Sequence, residues 1–200
     1  MYNWRRMTVE QQAEVLRYRR LYRYPLHSPP HFGSEQRHRY HLSAANYEHA
    51  PIVGRHPERL AAFATVLCAT LTASDNTLHA WCALPNHYHA LIDTADLKGV
   101  VARLGKMHGS TSFGWNREDN TRGRKCWHCC ADRWIRSEAH FFTARNYIHH
   151  NPVKHGYVTK WDDWPFSSAK VLLDEIGRQE ALRMWEKYPV LDMGEGWDWD

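Results

Sequence analysis

Hydrophobic and polar positions follow two periodicities along the chain. Residues alternate between apolar and polar in short stretches, which predicts strands, and apolar residues recur at helical spacing in longer stretches. Two of the strands are separated only by Pro85-Asn86, which favours a tight antiparallel pair. The predicted strands are 38–45, 77–84, 87–93 and 125–136, and the predicted helices between and after them are 57–73, 97–115 and 138–150.

The order of these elements is β-α-β-β-α-β-α. A hairpin in the middle of that order predicts an α+β, ferredoxin-like antiparallel sheet with helices on one face. Asn151-Pro152 is expected to end the third helix, because the residue before a proline is disfavoured in the helical region. Three glycines weaken the helical pattern of 97–115, at positions 99, 105 and 109.

Segments on either side extend this core. Residues 8–24 predict a helix capped by Thr8, which Pro25 and the following Ser28-Pro29-Pro30 end. Residues 161–189 predict a turn and a further helix, with Ser167 or Ser168 as its cap. The chain is therefore divided into a basic N-terminal arm with a proline-rich linker (1–36), a central domain (37–160) and a C-terminal turn, helix and acidic tail (161–200).

Composition excludes several classes of protein. An apolar content of 43% and a charged content of 24% exclude a disordered or collagen-like chain. No run approaches the roughly 18 apolar residues of a membrane helix, and no apolar region follows the N-terminal charges as in a signal peptide. Five cysteines without framework spacing fit a reducing compartment, so a cytoplasmic protein with no membrane partner is expected.

Charge is distributed unevenly. The net charge is +8 over residues 98–160 and −6 over 161–200, within a total of +4. Clustered positive charge is typical of proteins with a phosphate-bearing partner, although a solvated basic face is the alternative. The arm is also basic and is expected to grip such a partner. The candidate phosphate contacts are Arg19, Arg20, Lys106, Arg122, Arg124, Lys125, Arg133, Arg136 and Lys154.

Two short patterns carry candidate chemistry. His87 and His89 are two apart on a predicted strand and so share one face, and paired imidazoles suit a divalent metal. Tyr147 and Asn151 are four apart on a predicted helix and share one face of it, which could place a nucleophile beside an amide ligand. In a chain with 15 histidines each pattern alone also fits ordinary core residues.

Together the two patterns resemble a known family. The segment Leu84-Pro85-Asn86-His87-Tyr88-His89-Ala90-Leu91-Ile92 resembles the His-hydrophobe-His signature of the single-tyrosine HUH transposases. The segment Tyr147-Ile148-His149-His150-Asn151-Pro152 resembles the nucleophile helix of that family. The segment Trp161-Asp162-Asp163-Trp164-Pro165-Phe166 is similar to one found in its REP-associated subgroup. The resemblance covers about residues 20–170.

The resemblance implies a metal-dependent single-stranded DNA endonuclease and strand transferase acting on REP-like hairpin DNA. It implies Tyr147 as the nucleophile that forms a 5′-phosphotyrosine, His87 and His89 as ligands of Mg²⁺ or Mn²⁺, and Asn151 as third ligand. Many relatives have Gln where Asn151 stands, so this shorter amide could instead orient a water or the tyrosine.

Alternative functions are a hairpin-DNA-binding protein without cleavage and a replication-initiator or relaxase nickase. A monomer and a homodimer both remain open, as does whether the tyrosine acts on its own chain's histidines.

Other residues have two interpretations each. Cys126, Cys129 and Cys130 suggest zinc, but buried thiols are the preferred interpretation because a second paired motif is missing. Trp115, Trp127 and Trp134 could stack on unpaired bases or pack in the core. His149, His150 and His155 are near the tyrosine in sequence and are candidate phosphate contacts. Tyr157 is expected to pack rather than to act as a second nucleophile.

Overall fold

The computed structural model describes residues 8–21, 37–191 and 193. Its centre is a four-stranded antiparallel sheet in the order β2-β3-β1-β4. The strands are β1 (His38–Ala45), β2 (Thr77–Ala83), β3 (His87–Thr94) and β4 (Ala131–Trp134). This order, with the β2–β3 hairpin at one edge, confirms the α+β ferredoxin-like class.

Two crossover helices cover one face of the sheet. They are α2 (Pro57–Thr72) and α3 (Leu97–Glu118), and their apolar faces pack against the side chains of β1 and β3 that alternate toward them. Leu42, Phe63, Tyr88 and Leu104 form the centre of this core and are almost fully buried. α3 runs three residues beyond its predicted end, and its glycines at 105 and 109 lie on its exposed side.

The third helix, α4 (Glu138–Lys154), covers the opposite face. The prediction of helices on one face therefore holds for the crossover helices and not for α4. The physical reason lies in the alternation of strand side chains. Cys82 and Leu91 point away from α2 and α3, and Phe141 and Ile148 of α4 bury them.

α4 also continues past the predicted stop at Asn151-Pro152. It ends at Lys154, two residues before Gly156, whose φ of 71° is the left-handed conformation that commonly follows a helix end. The Gly156 amide donates to the carbonyl of Val153 at 3.0 Å, and the Tyr157 amide donates to that of Pro152 at 2.9 Å. Asn151 is thus a fully helical residue that keeps its spacing from Tyr147.

The last predicted strand, 125–136, is shorter than expected. Regular pairing is confined to β4, and before it lies one isolated bridge between Asn46 and Trp127. Cys126 and Trp127 are consecutive and both buried, so this segment does not alternate between an exposed and a buried face. Instead of a strand partner, the side-chain Nδ2 of the buried Asn46 donates to the Cys126 carbonyl at 3.0 Å.

The flanks differ in detail from the prediction. α1 spans Val9–Leu21, and the proline-rich linker lies outside the described residues. The single C-terminal helix is two, α5 (Ala169–Ile176) and α6 (Arg178–Lys187), because Gly177 between them has a φ of 75°. In the described ranges, none of the helices has the length and apolarity required to cross a membrane. The three-part division of the chain and its cytoplasmic location stay predictions.

A buried charge network fastens α2 to the end of α3. Arg59 and Asp119 have side chains that are each 3% exposed and lie 2.6 Å apart. Arg124 bonds to the same carboxylate at 2.8 Å. These arginines hold the pKa of Asp119 well below its usual range, the hydrogen bond from Arg59 being the largest cause.

Candidate active site

β3 and α4 bring the four predicted site residues together. His87 and His89 alternate toward α4, and Tyr147 and Asn151 lie on the face of α4 that covers them. The His89 and Tyr147 rings are 5.3 Å apart between centroids, and the two histidine rings are 5.1 Å apart. Each of the four residues is at most 2% exposed. The sequence spacing therefore predicted a real three-dimensional cluster.

Asn86 fixes the orientation and tautomer of His87. Its Nδ2 donates to the His49 carbonyl at 3.1 Å, which turns its Oδ1 toward His87 Nδ1 at 2.7 Å. Because an amide oxygen only accepts, His87 Nδ1 is the donor of that bond. In the neutral imidazole the lone pair is then on Nε2, which points at Asn151.

His41 contacts Nδ1 of His89, as Asn86 contacts Nδ1 of His87. Its Nε2 lies 3.1 Å from His89 Nδ1, and its ring centroid is 5.9 Å from that of Tyr147. His41 is 2% exposed. The sequence analysis did not assign it a role, although its place between Tyr40 and Leu42 on an alternating strand predicts a side chain on the α4 face.

The donor atoms suit a small divalent cation. Both histidines engage a neighbour through Nδ1, as metal-ligating histidines ordinarily do. His87 Nε2 and Asn151 Oδ1 are 2.9 Å apart, close to the roughly 3 Å between adjacent ligands of an octahedral Mg²⁺. A nitrogen lone pair and an amide oxygen facing each other repel unless a cation or a proton lies between them.

A lysine and a histidine border the cluster at the end of α4. Lys154 is exposed and its Nζ lies 5.7 Å from the centre of the Tyr147 ring. The His155 ring is 4.9 Å from that of His87. Of the three histidines near the tyrosine in sequence, His155 is therefore the one in contact with a predicted metal ligand.

The other two neighbours point elsewhere. His149 is fully buried and lies 2.9 Å from Ser168 Oγ, and burial lowers its pKa to about 3. A neutral buried imidazole does not suit a phosphate contact, so that expectation for His149 is wrong. His150 lies against Trp185 at 5.7 Å, away from the cluster.

The remaining candidate phosphate contacts are spread over the surface. Arg20 on α1, Lys106 on α3, and Arg122, Lys125 and Arg136 are exposed. Arg19 lies within α1, and Arg133 on β4 is half-buried. Arg124 is engaged by Asn116 and Asp119, so its guanidinium serves the network at the end of α3.

Tryptophans and cysteines divide between core and surface. Trp115 and Trp127 are buried in the core, whereas Trp134 is 50% exposed with the Arg136 guanidinium 5.4 Å from its ring. Cys126 and Cys130 are buried and Cys129 is exposed. Over the described ranges no group of three or more His, Cys, Asp or Glu is placed to hold a metal ion. Tyr157 packs beside Trp164 at 5.4 Å.

The fold of this chain is similar to that of a solved transposase. The chain matches a solved REP-associated tyrosine transposase bound to a REP hairpin with a TM-score of 0.56 and 16% identity, over 83% of this chain and 94% of that one. At this identity the match establishes the fold. No family model matches the chain.

The chain is also similar in sequence to a curated protein. The chain is 31% identical over 101 residues to a protein of Haemophilus influenzae named for the REP-associated tyrosine transposases, covering 44% of this chain. The chain thus spans about half the length (55%) of that relative. The predicted resemblance to REP-associated tyrosine transposases is confirmed by both comparisons.

Proposed function

We propose that this protein is a metal-dependent single-stranded DNA endonuclease and strand transferase, with Tyr147 as its nucleophile. The observation that carries the proposal is the convergence of Tyr147 with His87, His89 and Asn151, both histidines being held through Nδ1. Such an arrangement matches what transesterification of a phosphodiester requires, namely a nucleophile next to a site for a cation.

The reaction follows from the chemistry of the tyrosine. The Tyr147 Oη attacks the phosphorus, the P–Oη bond forms and the P–O3′ bond breaks. The phenolic proton passes to water, and the departing 3′ oxygen takes up one proton from water. The 5′ phosphate stays on Tyr147, so the bond energy is conserved and a second 3′-hydroxyl can reverse the step on a new strand.

His87, His89 and Asn151 would hold the cation, and Asn86 and His41 would keep the two imidazoles turned toward it. Bound there, Mg²⁺ or Mn²⁺ would neutralise phosphate charge and polarise the phosphoryl oxygen. Lys154 adds a positive charge near the Tyr147 ring, where the phosphate has to approach.

The proposed substrate is REP-like hairpin DNA with a single-stranded segment. Its support is that the solved relative is bound to a REP hairpin and that the exposed Lys154 lies beside the site of this chain. Trp134 with Arg136 offers an aromatic and cationic contact of the kind that binds unpaired bases.

Hairpin binding without cleavage is the second candidate function. The burial of Tyr147, at 1% exposed, favours it, because a phosphodiester reaches Oη only after neighbouring side chains move.

One experiment separates the two candidates. The protein is incubated with labelled hairpin DNA bearing single-stranded extensions, with Mg²⁺ or Mn²⁺ and with EDTA, and covalent adducts are resolved on denaturing gels. We expect a metal-dependent adduct that Tyr147→Phe abolishes while hairpin affinity is kept. Tyr157→Phe is the matched control and should leave the adduct unchanged. An adduct that persists in Tyr147→Phe would refute the assignment of the nucleophile, and binding without any adduct would favour the second candidate.

A further inference from the structure

An aromatic and cationic cluster lies beside the His87 end of the sheet. The Tyr47 and His128 rings are 5.0 Å apart between centroids, with planes inclined at 36°. The Lys125 Nζ lies 4.5 Å from the centre of the Tyr47 ring. Tyr47 and His128 are half-buried, and Lys125 is exposed. We name Tyr47, His128 and Lys125 the Tyr47 platform.

The loop that carries Tyr47 has an unfavourable backbone. Glu48 and His49 are consecutive and have φ values of 54° and 53°, in the left-handed region that side chains with a Cβ seldom adopt. Residues held in such conformations cluster at ligand-binding sites, where the surrounding structure over-determines them.

Buried amides impose this conformation. Asn46 is fully buried, and its Oδ1 accepts from the Val53 amide at 3.2 Å while its Nδ2 donates to the Cys126 carbonyl at 3.0 Å. The Tyr47 amide donates to the same carbonyl at 2.9 Å. The Glu48 amide donates to His128 Nε2 at 3.3 Å, so the two halves of the platform are locked together.

The platform is connected to the candidate metal ligand. The Asn46 amide donates to the Asn86 carbonyl at 2.6 Å, and Asn86 Nδ2 donates to the carbonyl of the strained His49. Asn86 in turn orients His87. A ligand on the platform would therefore lie at the same end of the sheet as the predicted cleavage chemistry.

Basic and acidic side chains on the segments that flank the platform are largely paired with one another. Arg55, Arg59 and Arg124 share the Asp119 carboxylate, and Glu118 pairs with Arg59. Lys125 and Arg122 add exposed cations, while Glu48 is the acid on the platform's own loop. The Lys125 ammonium lies over the Tyr47 ring, so a base takes that face once the exposed lysine turns to the adjoining phosphate. An aromatic ring with such a lysine suits a base together with its phosphate.

We propose that the Tyr47 platform is a stacking site for one unpaired base of the DNA, next to the scissile phosphate. Tyr47 supplies the face on which the base stacks, and Lys125 pairs with the adjoining phosphate. The strained loop holds Tyr47 in place in advance, so little side-chain entropy is lost on binding. This inference rests on the proposed function, because it assigns residues to that function's substrate.

The test measures DNA affinity without cleavage. All proteins carry Tyr147→Phe, and fluorescence anisotropy is recorded in EDTA with a labelled hairpin that has a single-stranded extension. Tyr47→Ala should weaken binding by about 5- to 100-fold, the usual range for loss of one stacked base, and Tyr47→Phe should retain affinity within about twofold. Tyr157→Ala removes an exposed tyrosine elsewhere and serves as the control.

Charge variants test the phosphate contact. Lys125→Met should weaken binding and lower the salt dependence by about one ion. Glu48→Gln should tighten binding at low salt, since it removes the acid next to the platform.

A scan with abasic sites makes the test independent of folding of the variants. In the Tyr147→Phe protein with Tyr47 intact, one abasic position in the extension should cause the same loss as Tyr47→Ala, and the two losses should not add. Uniform tolerance of every abasic position, or a folded Tyr47→Ala protein with unchanged affinity, would overturn the stacking site.

The outcomes distinguish this inference from the proposed function. Tyr47-dependent binding by a protein that forms no tyrosine adduct supports the platform and contradicts the proposed cleavage. Adduct formation with no dependence of affinity on Tyr47 contradicts the platform alone. Absence of any single-strand binding overturns both.

Discussion

Removal of the Asn86 side chain should loosen the candidate metal site without touching a predicted ligand. Asn86→Ala deletes the acceptor of the His87 Nδ1 proton, at 2.7 Å, and the donor to the His49 carbonyl, at 3.1 Å. His87 then loses the contact that keeps its lone pair on Nε2. Loss of such an outer-shell partner typically weakens metal affinity by about 10- to 100-fold, which corresponds to about 1.4–2.7 kcal/mol.

The unfolding free energy of the Asn86→Ala protein should fall by a similar amount. Two hydrogen bonds at about 1 kcal/mol each amount to about 2 kcal/mol of unfolding free energy. Asn86→Asp separates the two effects, because a carboxylate still accepts from His87 Nδ1 and no longer donates to His49. We expect it to keep metal affinity within a few fold and to lose about half of the stability difference.

The assay is direct titration of the protein with Mn²⁺, followed by electron paramagnetic resonance of the free ion. Urea denaturation gives the stability, and ¹⁵N spectra of the histidine side chains report which nitrogen of His87 carries the proton. Asn76→Ala is the matched control, since Asn76 bonds to the carbonyls of Leu71 and Ala73 away from the site. A folded Asn86→Ala protein with native Mn²⁺ affinity would refute the role of Asn86, and a native protein that binds no Mn²⁺ would refute the metal site itself.

Three further predictions concern stability. Asp119→Ala should lower the unfolding free energy by about 3 kcal/mol, because it leaves the buried Arg59 with only the more exposed Glu118 as its counter-charge, and a loss below about 1 kcal/mol in urea titrations would contradict a buried ion pair. His149 is neutral in the fold, with a pKa lowered to about 3, so its contribution is complete above the unfolded pKa of about 6.5 and is lost as pH falls toward 3. About 1.4 kcal/mol of unfolding free energy should be lost between neutral pH and pH 5.5. The His149→Gln protein should not show that loss, and the same pH dependence of stability in both proteins would disprove the prediction. Gly156→Ala should cost about 1 kcal/mol from its left-handed φ, with no clash since no atom lies within 4 Å of the added Cβ; denaturation midpoints equal to those of the native protein would argue against a strained cap.

Local pattern predicted the elements well where one face of each element was buried. The strand pair around Pro85-Asn86 and the register of His87 and His89 followed from alternation, which the sheet preserves. The pattern was less informative where tertiary contacts replace regular pairing. The segment before β4 carries consecutive buried residues because the Asn46 amide, rather than a strand ladder, satisfies its backbone.

Helix ends also depended on more than local preference. Asn151-Pro152 is a sound stop signal, yet α4 continues through it because packing on the sheet supports the last turn and Gly156 supplies the termination.

The sequence by itself determined the order of elements, the shared face of His87 and His89, and the helical spacing of Tyr147 and Asn151, because these depend on neighbours close in the chain. Tertiary structure alone decided that α4 lies on the second face of the sheet and that Asn86 and His41 hold the two imidazoles. It also decided that His149 is buried while His155 meets His87. These facts depend on contacts between residues far apart in the chain, which no local periodicity encodes. The tyrosine and its predicted ligands were visible as a pattern, and the contacts that orient them became visible only in the fold.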